Sequence, residues 1–510
     1  MKPDANSGDK PGAKADAKAD DKFDAKPDGQ ARADAKSADN FADIATANST
    51  DKSADKFADK FNDTFNDTFN DKSADKPDAK PERDCVLCGC CLEFCPLFAV
   101  TGREELSPRA KALLSGPSKF TFATFASSAT SASLDDDAVA ELASLCLACG
   151  KCEKLCPQGV SVPRLVARLR AEHPDFRQWL WRQWITRLAP YWSLAAKGAA
   201  LVPESMVSAL APAGLGLALK GLRGLRPGNG LRPWLTITRF PVEAYRQHPG
   251  TDSGMRPVAL FDGCVGSGPR KAWGHTARFL LRGLGANLVE AGFSCCGSTL
   301  GVAGLPDDQL AARRANVEAW RQAGRPLIVT YCATCRKGLA EYAGYTCVGG
   351  GAGLFADADE EKAWAEAVTP LSGLLASATA KASRAIPAIV GWHRPCHAVI
   401  PGNPQDADFR LLSSLLGARL RTPARAECCG FGGIMQLSAP GLSAQVGQAC
   451  WNSLDTALGF TAAPEVVRAT VLTGCSGCVM QLAATAPAMA GSKAQVGHWL
   501  EIITTDERRR

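Results

Sequence analysis

No stretch of this sequence reaches the roughly 20 apolar residues that a membrane-spanning helix needs. The longest uncharged stretch of note, Ser205–Leu219, is shorter and is interrupted by Ser, Pro and Gly. Met1–Thr50 has no apolar h-region, so no secretory signal is expected. There is no dinucleotide fingerprint and no nucleophile triad. Gly349–Gly353 lacks the Lys and the flanks of a phosphate-binding loop and reads as a flexible loop. Any electrons that the chain handles are therefore expected to enter from, and leave to, other proteins or a small redox substrate.

What the sequence has in quantity is cysteine, 21 in 510 residues. In a small secreted chain these would suggest disulfides. Here they fall into tight groups with ligand spacing, two of which end in Cys-Pro. Metal-bound thiolates in a reducing cytoplasm are the better account. Charge fits this reading. Up to Asp84 there are 15 Lys and Arg against 20 Asp and Glu, leaving 43 against 32 for the rest. A basic body could meet nucleic acid or an anionic surface. The cysteines favour bound thiolate clusters as the balancing charge, and no nucleic-acid partner is expected.

Length and texture divide the chain. Residues 1–83 are a low-complexity tail of Asp, Lys, Ala and Ser that cannot bury enough surface to fold alone, and are expected to be disordered. Phe57, Phe61, Phe65 and Phe69 recur every four residues within it, by repeat growth or as a helix face. Residues 84–166 form the first cysteine-rich unit, with a loop-like insertion at Ser115–Ser133. Residues 167–255 lack cysteine and read as a region of broken helices. Residues 256–380 and 381–505 each alternate strand and helix signals. Strands are expected at Pro257–Phe261, Leu327–Tyr331, Ile386–Trp392 and Val466–Thr473, with helices at Lys271–Leu284, Gln309–Gln322, Asp406–Leu416 and Leu442–Ala457. The fold expected is a helical two-cluster ferredoxin-like domain followed by two duplicated α/β domains.

Cys85, Cys88, Cys91 and Cys95-Pro96 repeat the spacing of Cys146, Cys149, Cys152 and Cys156-Pro157. Both fit C-x2-C-x2-C-x3-C-P, the bacterial ferredoxin run, in which the fourth cysteine ligates the other cluster. Cys85, Cys88, Cys91 and Cys156 are thus expected to hold one cubane 4Fe–4S cluster, and Cys146, Cys149, Cys152 and Cys95 the second. Cys90 is surplus to the pattern and reads as a bystander. Zinc is the alternative metal, disfavoured by the doubled run and its Cys-Pro endings.

Downstream, Cys264, Cys295-Cys296-Gly297 and Cys332-x2-Cys335 are matched by Cys396, Cys428-Cys429-Gly430 and Cys475-x2-Cys478. Several of these cysteines follow expected strands, where α/β sheets bind ligands. Two such units after two ferredoxin runs resemble the cysteine-rich (CCG) family, which includes heterodisulfide reductase subunits B and D and the iron–sulfur subunit of glycolate oxidase. Thr101-Gly-Arg-Glu-Glu-Leu-Ser-Pro-Arg109, His393-Arg-Pro-Cys396-His397 and Cys428-Cys-Gly-Phe-Gly-Gly433 also resemble the glycolate oxidase subunit. The resemblance covers about residues 84–505. It implies that the ten downstream cysteines hold one or two non-cubane 4Fe–4S clusters. The complete sets lean toward the heterodisulfide reductase D type and the 101–109 phrase toward glycolate oxidase.

The resemblance implies an electron-transfer subunit, fed by a flavoprotein 2-hydroxyacid dehydrogenase or a membrane redox subunit. The alternatives are a reductase acting on a disulfide at the non-cubane clusters, and a zinc-binding interaction module. A basic, Trp-rich segment at 177–197 suits a membrane interface, a partner subunit or packing on its own domains. The expected location is the cytoplasm, with peripheral contact at the inner membrane face left open. His393 and His397 are read as hydrogen-bonding neighbours of a cluster, not as ligands. Cys347 and Cys450 lie outside every motif and read as buried small residues.

Overall fold

The architecture follows from short, wholly apolar runs bounded by Gly and Cys, which suit strands buried on both faces. The computed structural model describes residues 85–115, 136–210, 215–226, 230–247, 256–345, 353–398, 406–459, 469–489 and 492–505. The N-terminal tail, Cys347 and most of the 115–133 insertion lie outside these. The strands used below are β1 (Leu235–Arg239), β2 (Val258–Phe261), β3 (Leu288–Val289), β4 (Leu327–Thr330), β5 (Val368–Pro370), β6 (Thr379–Ala382), β7 (Val390–Trp392), β8 (Leu420–Arg421), β9 (Thr470–Thr473) and β10 (Gln495–His498). Two all-parallel four-stranded sheets result, ordered β3-β2-β4-β5 and β8-β7-β9-β10. Counted along the chain, the strand order is the same in both. Every residue of β4, β7 and β9 is buried.

The main helices are α1 (Pro96–Thr101), α2 (Pro108–Ser115), α3 (Lys151–Leu155), α4 (Val162–Glu172), α5 (Phe176–Thr186), α6 (Trp192–Leu201), α7 (Leu215–Gly224), α8 (Lys271–Gly283), α9 (Pro306–Gln322), α10 (Ala333–Ala340), α11 (Ala358–Ala367), α12 (Ala407–Leu416), α13 (Pro440–Leu458) and α14 (Ser476–Ala484), with shorter helical segments between them. Their faces explain their packing. In α8, Trp273, Ala277, Leu280 and Leu281 recur at helical spacing and are buried. α13 starts with Pro440 in its first turn and stops at Gly459, whose φ of 68° is left-handed. Its inner face buries Val446, Cys450, Trp451 and Leu454. Large side chains such as Trp320, Trp364 and Trp451 are fully buried, each worth about 1.5–3 kcal/mol of burial.

Residues 167–255, expected to be helical, also hold a strand. β1 pairs antiparallel with β6 at the end of the first α/β unit. The region braces rather than links. α7 lies so close to α14 that a Cβ on Gly224 would stand 2.9 Å from the Cβ of Ala483. The last described residues return to the same place: Trp234 N–H donates to Ile502 O at 2.9 Å and Thr504 N–H to Leu235 O at 2.8 Å. Glu501 accepts from Trp273 Nε1 and Leu231 N, both at 2.7 Å, beside the buried Arg270. Within the Trp-rich segment, Trp181 and Trp192 are buried and Trp184 stacks on Trp192 at 5.3 Å. These tryptophans pack on the protein's own helices, while Tyr191, Leu194 and Leu201 face outward. No described helix is long and apolar enough to cross a membrane.

Candidate metal centres

The two ferredoxin-type loops repeat one backbone conformation. Leu87 and Ala148, each just before the second cysteine of its motif, have φ of 58° and 47°. Gly89 and Gly150, each just after it, have φ of 77° and 71°. Left-handed non-glycine residues are costly and cluster at functional sites. Here they turn the chain so that successive cysteines face one side. Cys95 is the N-cap of α1, with Pro96 at the first helical position, where its missing N–H costs nothing. A cavity is lined by Cys95, Cys146, Cys149 and Cys152, so the fourth cysteine of the first motif sits among three of the second. Cys85, Cys152 and Cys156 pack round the Val160–Val166 patch. The exposed Cys90 is in hydrogen-bond contact with Cys88.

The 101–109 phrase has a mechanical role. Ser107 Oγ caps α2 by accepting from Ala110 N at 3.1 Å. Arg109 pairs with Glu104 at 2.8 Å and reaches the carbonyl of the strained Leu87 at 3.4 Å.

In the downstream units the strand–helix junction builds the C-x2-C pairs. β4 ends at Thr330 and β9 at Thr473. Two residues later, Cys332 and Cys475 are the N-caps of α10 and α14, with Cys335 and Cys478 on their first turns. N-cap and third helical position share a side of the turn, beside free backbone N–H groups and the positive helix end. Gly263 (φ 67°) precedes Cys264 where a Cβ would be 2.8 Å from the Cys335 sulfur.

These cysteines form one array rather than two separate ones. Thiol contacts run from Cys264 to Cys295, Cys296, Cys335 and Cys332. From Cys332 they cross to Cys475 in the other unit and continue to Cys478, Cys429, Cys428 and Cys396. Cys428 also touches Cys149 of the ferredoxin-type part. The crossing is nearly symmetric: Thr334 Oγ1 lies 3.2 Å from Cys475 Sγ and Ser476 Oγ lies 3.5 Å from Cys332 Sγ. Backbone N–H groups point at Cys146, Cys156, Cys295 and Cys428, each at 3.4 Å. The Cys428 and Cys478 thiols hold Cys429 well below the usual thiol range.

Soft thiolate sets of this kind suit iron–sulfur clusters or zinc. The surroundings fit a multiply charged anion. Arg170 is buried, and its guanidinium donates to four carbonyls: Ala143 (3.1 Å), Ser144 (3.0 Å), Cys146 (2.8 Å) and Val302 (2.7 Å). Among the described residues, no carboxylate accepts a hydrogen bond from it. A buried cation with neutral partners is costly unless an anion lies near; Cys146 and Asp175 are the acidic groups that act on it. Lys111, 3% exposed, lines the Cys95–Cys152 cavity. Burial pulls its ammonium down, against the upward pull of Cys146 and Cys95. From α3, Lys154 Nζ donates to Cys396 O at 3.0 Å and Lys151 Nζ to Ala426 O at 2.5 Å, docking the ferredoxin-type part on the second unit.

His393 is buried and His397 half-buried, and desolvation holds both neutral, down to about 4 and about 3. His397 Nδ1 lies 3.1 Å from Thr334 Oγ1, which also contacts Cys475. Cys450 is buried in the core beside Cys428 and Cys429. Sequence reasoning missed Thr334, Ser476, Lys111 and Arg170. One signal existed: Arg170 interrupts the apolar face of α4 formed by Val162, Leu165, Val166 and Leu169.

Comparison with known families agrees with this architecture. Residues 83–160 match the 4Fe-4S dicluster domain, and residues 258–340 and 390–483 each match the cysteine-rich domain. The chain belongs to the iron–sulfur oxidoreductase subunits that carry CCG domains. Among characterised relatives it is similar to a probable glycolate oxidase iron-sulfur subunit of Bacillus subtilis (strain 168). The two are 22% identical over 417 residues, covering 78% of this chain and 88% of the relative.

Proposed function

We propose that this chain is the electron-transfer subunit of a multi-subunit oxidoreductase, fed by a flavoprotein that oxidises a 2-hydroxyacid of the glycolate or lactate type. The observation that carries the reading is the unbroken thiol run from Cys149 through Cys428 and Cys475 to Cys332 and Cys264. Bound iron–sulfur clusters supply one-electron exchange, at potentials set by hydrogen bonds, charge and burial. In this reading Cys85, Cys88, Cys91 and Cys156 hold one cubane, and Cys95, Cys146, Cys149 and Cys152 the other. Cys264, Cys295, Cys296, Cys332 and Cys335 serve the first CCG site; Cys396, Cys428, Cys429, Cys475 and Cys478 serve the second. The domains proposed are 84–166, 256–380 and 381–505, the last two arising by duplication, which the shared strand order supports. Arg170 and Lys111 offset cluster charge. Lys151 and Lys154 fix the approach of the ferredoxin-type part to the second CCG site.

The named relative supports a dehydrogenase partner. The test is anaerobic reduction of the iron-loaded chain by a candidate flavoprotein subunit given glycolate or lactate, followed as bleaching of cluster absorbance. Absence of bleaching with every flavoprotein that co-purifies refutes it. A second reading, reduction of a disulfide, is favoured by the contact of the two complete five-cysteine sets at Cys332 and Cys475. Disulfide-dependent reoxidation of the reduced chain separates the two. Zinc without iron or sulfide in the purified chain excludes both and leaves a zinc-binding interaction module.

A further inference from the structure

The second CCG site has a nitrogen donor that the first lacks. A ring nitrogen of His393 and the Sγ atoms of Cys429 and Cys478 lie within 4.8 Å of one another, and all three residues are buried. Donors bonded to one tetrahedral metal at about 2.0–2.3 Å stand about 3.5–4 Å apart. The three groups are therefore close enough to share one ion after a small inward closure. His393 Nδ1 lies 3.2 Å from Thr473 Oγ1. Its Nε2 has no hydrogen-bond partner although the residue is only 3% exposed. A buried polar atom left unpaired costs about 1–3 kcal/mol, a cost that a metal bond removes.

The first site is built differently at the same place. His393 directly follows β7, and Asp262 directly follows β2. Asp262 is engaged elsewhere, pairing with Arg278 at 2.8 Å and accepting from Tyr331 Oη at 3.1 Å. At this position the first site offers no free donor.

We propose that His393 Nε2 is a ligand of the second centre, sharing one iron with Cys429 and Cys478. Thr473 Oγ1 accepts from Nδ1–H and fixes the tautomer that leaves the Nε2 lone pair for the metal. The second site is then a mixed nitrogen–sulfur site, whereas the first is thiolate only. This reverses the sequence expectation that the cysteines suffice. A neutral imidazole among thiolates raises a cluster's potential, as histidine ligation does in Rieske centres, so the second centre is the easier of the two to reduce. The inference rests on the reading that this site holds iron, which iron analysis of Cys429→Ser reports separately.

The test is pulsed EPR on the full chain isolated anaerobically after labelling with 15N-histidine. A nitrogen coupling of the strength of metal-bound imidazole is expected in the wild-type chain. It should vanish in His393→Gln and persist in His397→Gln, and the midpoint of the same centre should fall in His393→Cys. Mössbauer spectra of the 57Fe-labelled wild-type chain read the site without a variant or a paramagnetic state. One iron of the second centre should show a higher isomer shift than the thiolate-bound irons. All-thiolate isomer shifts, a coupling only of hydrogen-bond strength, or a strong coupling that survives His393→Gln overturn the proposal. An unchanged iron content in Cys429→Ser overturns it too, and also removes the second centre from the functional reading.

Discussion

Replacing Gly430 with Ala adds one methyl group beside the second CCG site. Gly430 has φ of 85°, and a Cβ there would stand 2.4 Å from Ser443 O and 2.9 Å from Gly447 N. Ordinary contacts to a Cβ begin near 3.4 Å, so backbone of α13 must retreat by about an ångström. The retreat strains two buried hydrogen bonds, Ser443 Oγ to Gly430 O at 2.6 Å and Gln481 Nε2 to Ser443 O at 3.1 Å. The left-handed conformation alone costs a non-glycine residue about 1–2 kcal/mol, and each strained bond adds about 1 kcal/mol. A loss of about 3–4 kcal/mol is expected, with lower iron content because Cys428 and Cys429 move with the turn. Gly459→Ala is the control. Gly459 is also left-handed, with φ of 68°, but nothing lies within 4 Å of its Cβ position. It should lose only the conformational share. Thermal midpoints and iron per chain, measured on both variants side by side, decide the matter. At about 2–4 °C per kcal/mol, equal midpoints and equal iron for the two alanines would refute the steric argument.

Cys475→Ser should lower iron and sulfide at both CCG sites, because its thiol contacts Cys332 as well as Cys478. Cys264→Ser should empty the first site only; a loss confined to the second site in Cys475→Ser would show that the sites are not coupled. Cys450→Ala should keep full iron content, with destabilisation of about 1 kcal/mol from lost packing; loss of iron would place Cys450 in a cluster. Glu360 accepts from Arg321 at 2.6 Å, Arg325 at 2.7 Å and Ala356 N at 2.8 Å, which lowers its carboxyl to about 2 from 4.5. The stabilisation is present above pH 4.5 and lost as pH falls through about 2. Glu360→Gln should cost about 2 kcal/mol at neutral pH, allowing for the exposure of Arg325. Its deficit in urea denaturation should shrink as pH falls below 4.5; a deficit independent of pH would contradict the ion-pair assignment.

Much of the site was legible because it is local. A C-x2-C pair is defined by one helical turn, and β4 and β9 announce themselves as apolar runs ending just before Cys332 and Cys475. What was not legible is what depends on distant contacts. Nothing near Cys332 in sequence says that its thiol meets Cys475. β1, Leu-Thr-Ile-Thr-Arg between Pro233 and Pro241, does alternate as a strand should, but its partner β6 lies more than a hundred residues away. Arg170 and Lys111 look like ordinary solvated charges until the fold buries them. From sequence, His393 reads as a hydrogen-bonding neighbour of the cluster, since a count of cysteines cannot reveal that one imidazole nitrogen lacks a partner.

The return of residues 499–504 to β1 bears on how the protein is made. Leu231 N–H binds Glu501 across 270 residues of chain, and Trp234 and Leu235 find backbone partners at Ile502 and Thr504. On the ribosome the first CCG unit is synthesised long before those partners exist. The edge at β1 and the neighbourhood of Arg270 stay unfinished until residues 499–504 emerge, a topology that slows folding. Final assembly of the metal-binding interior therefore waits for residues 499–504, and iron delivered before they are made would meet an incomplete scaffold.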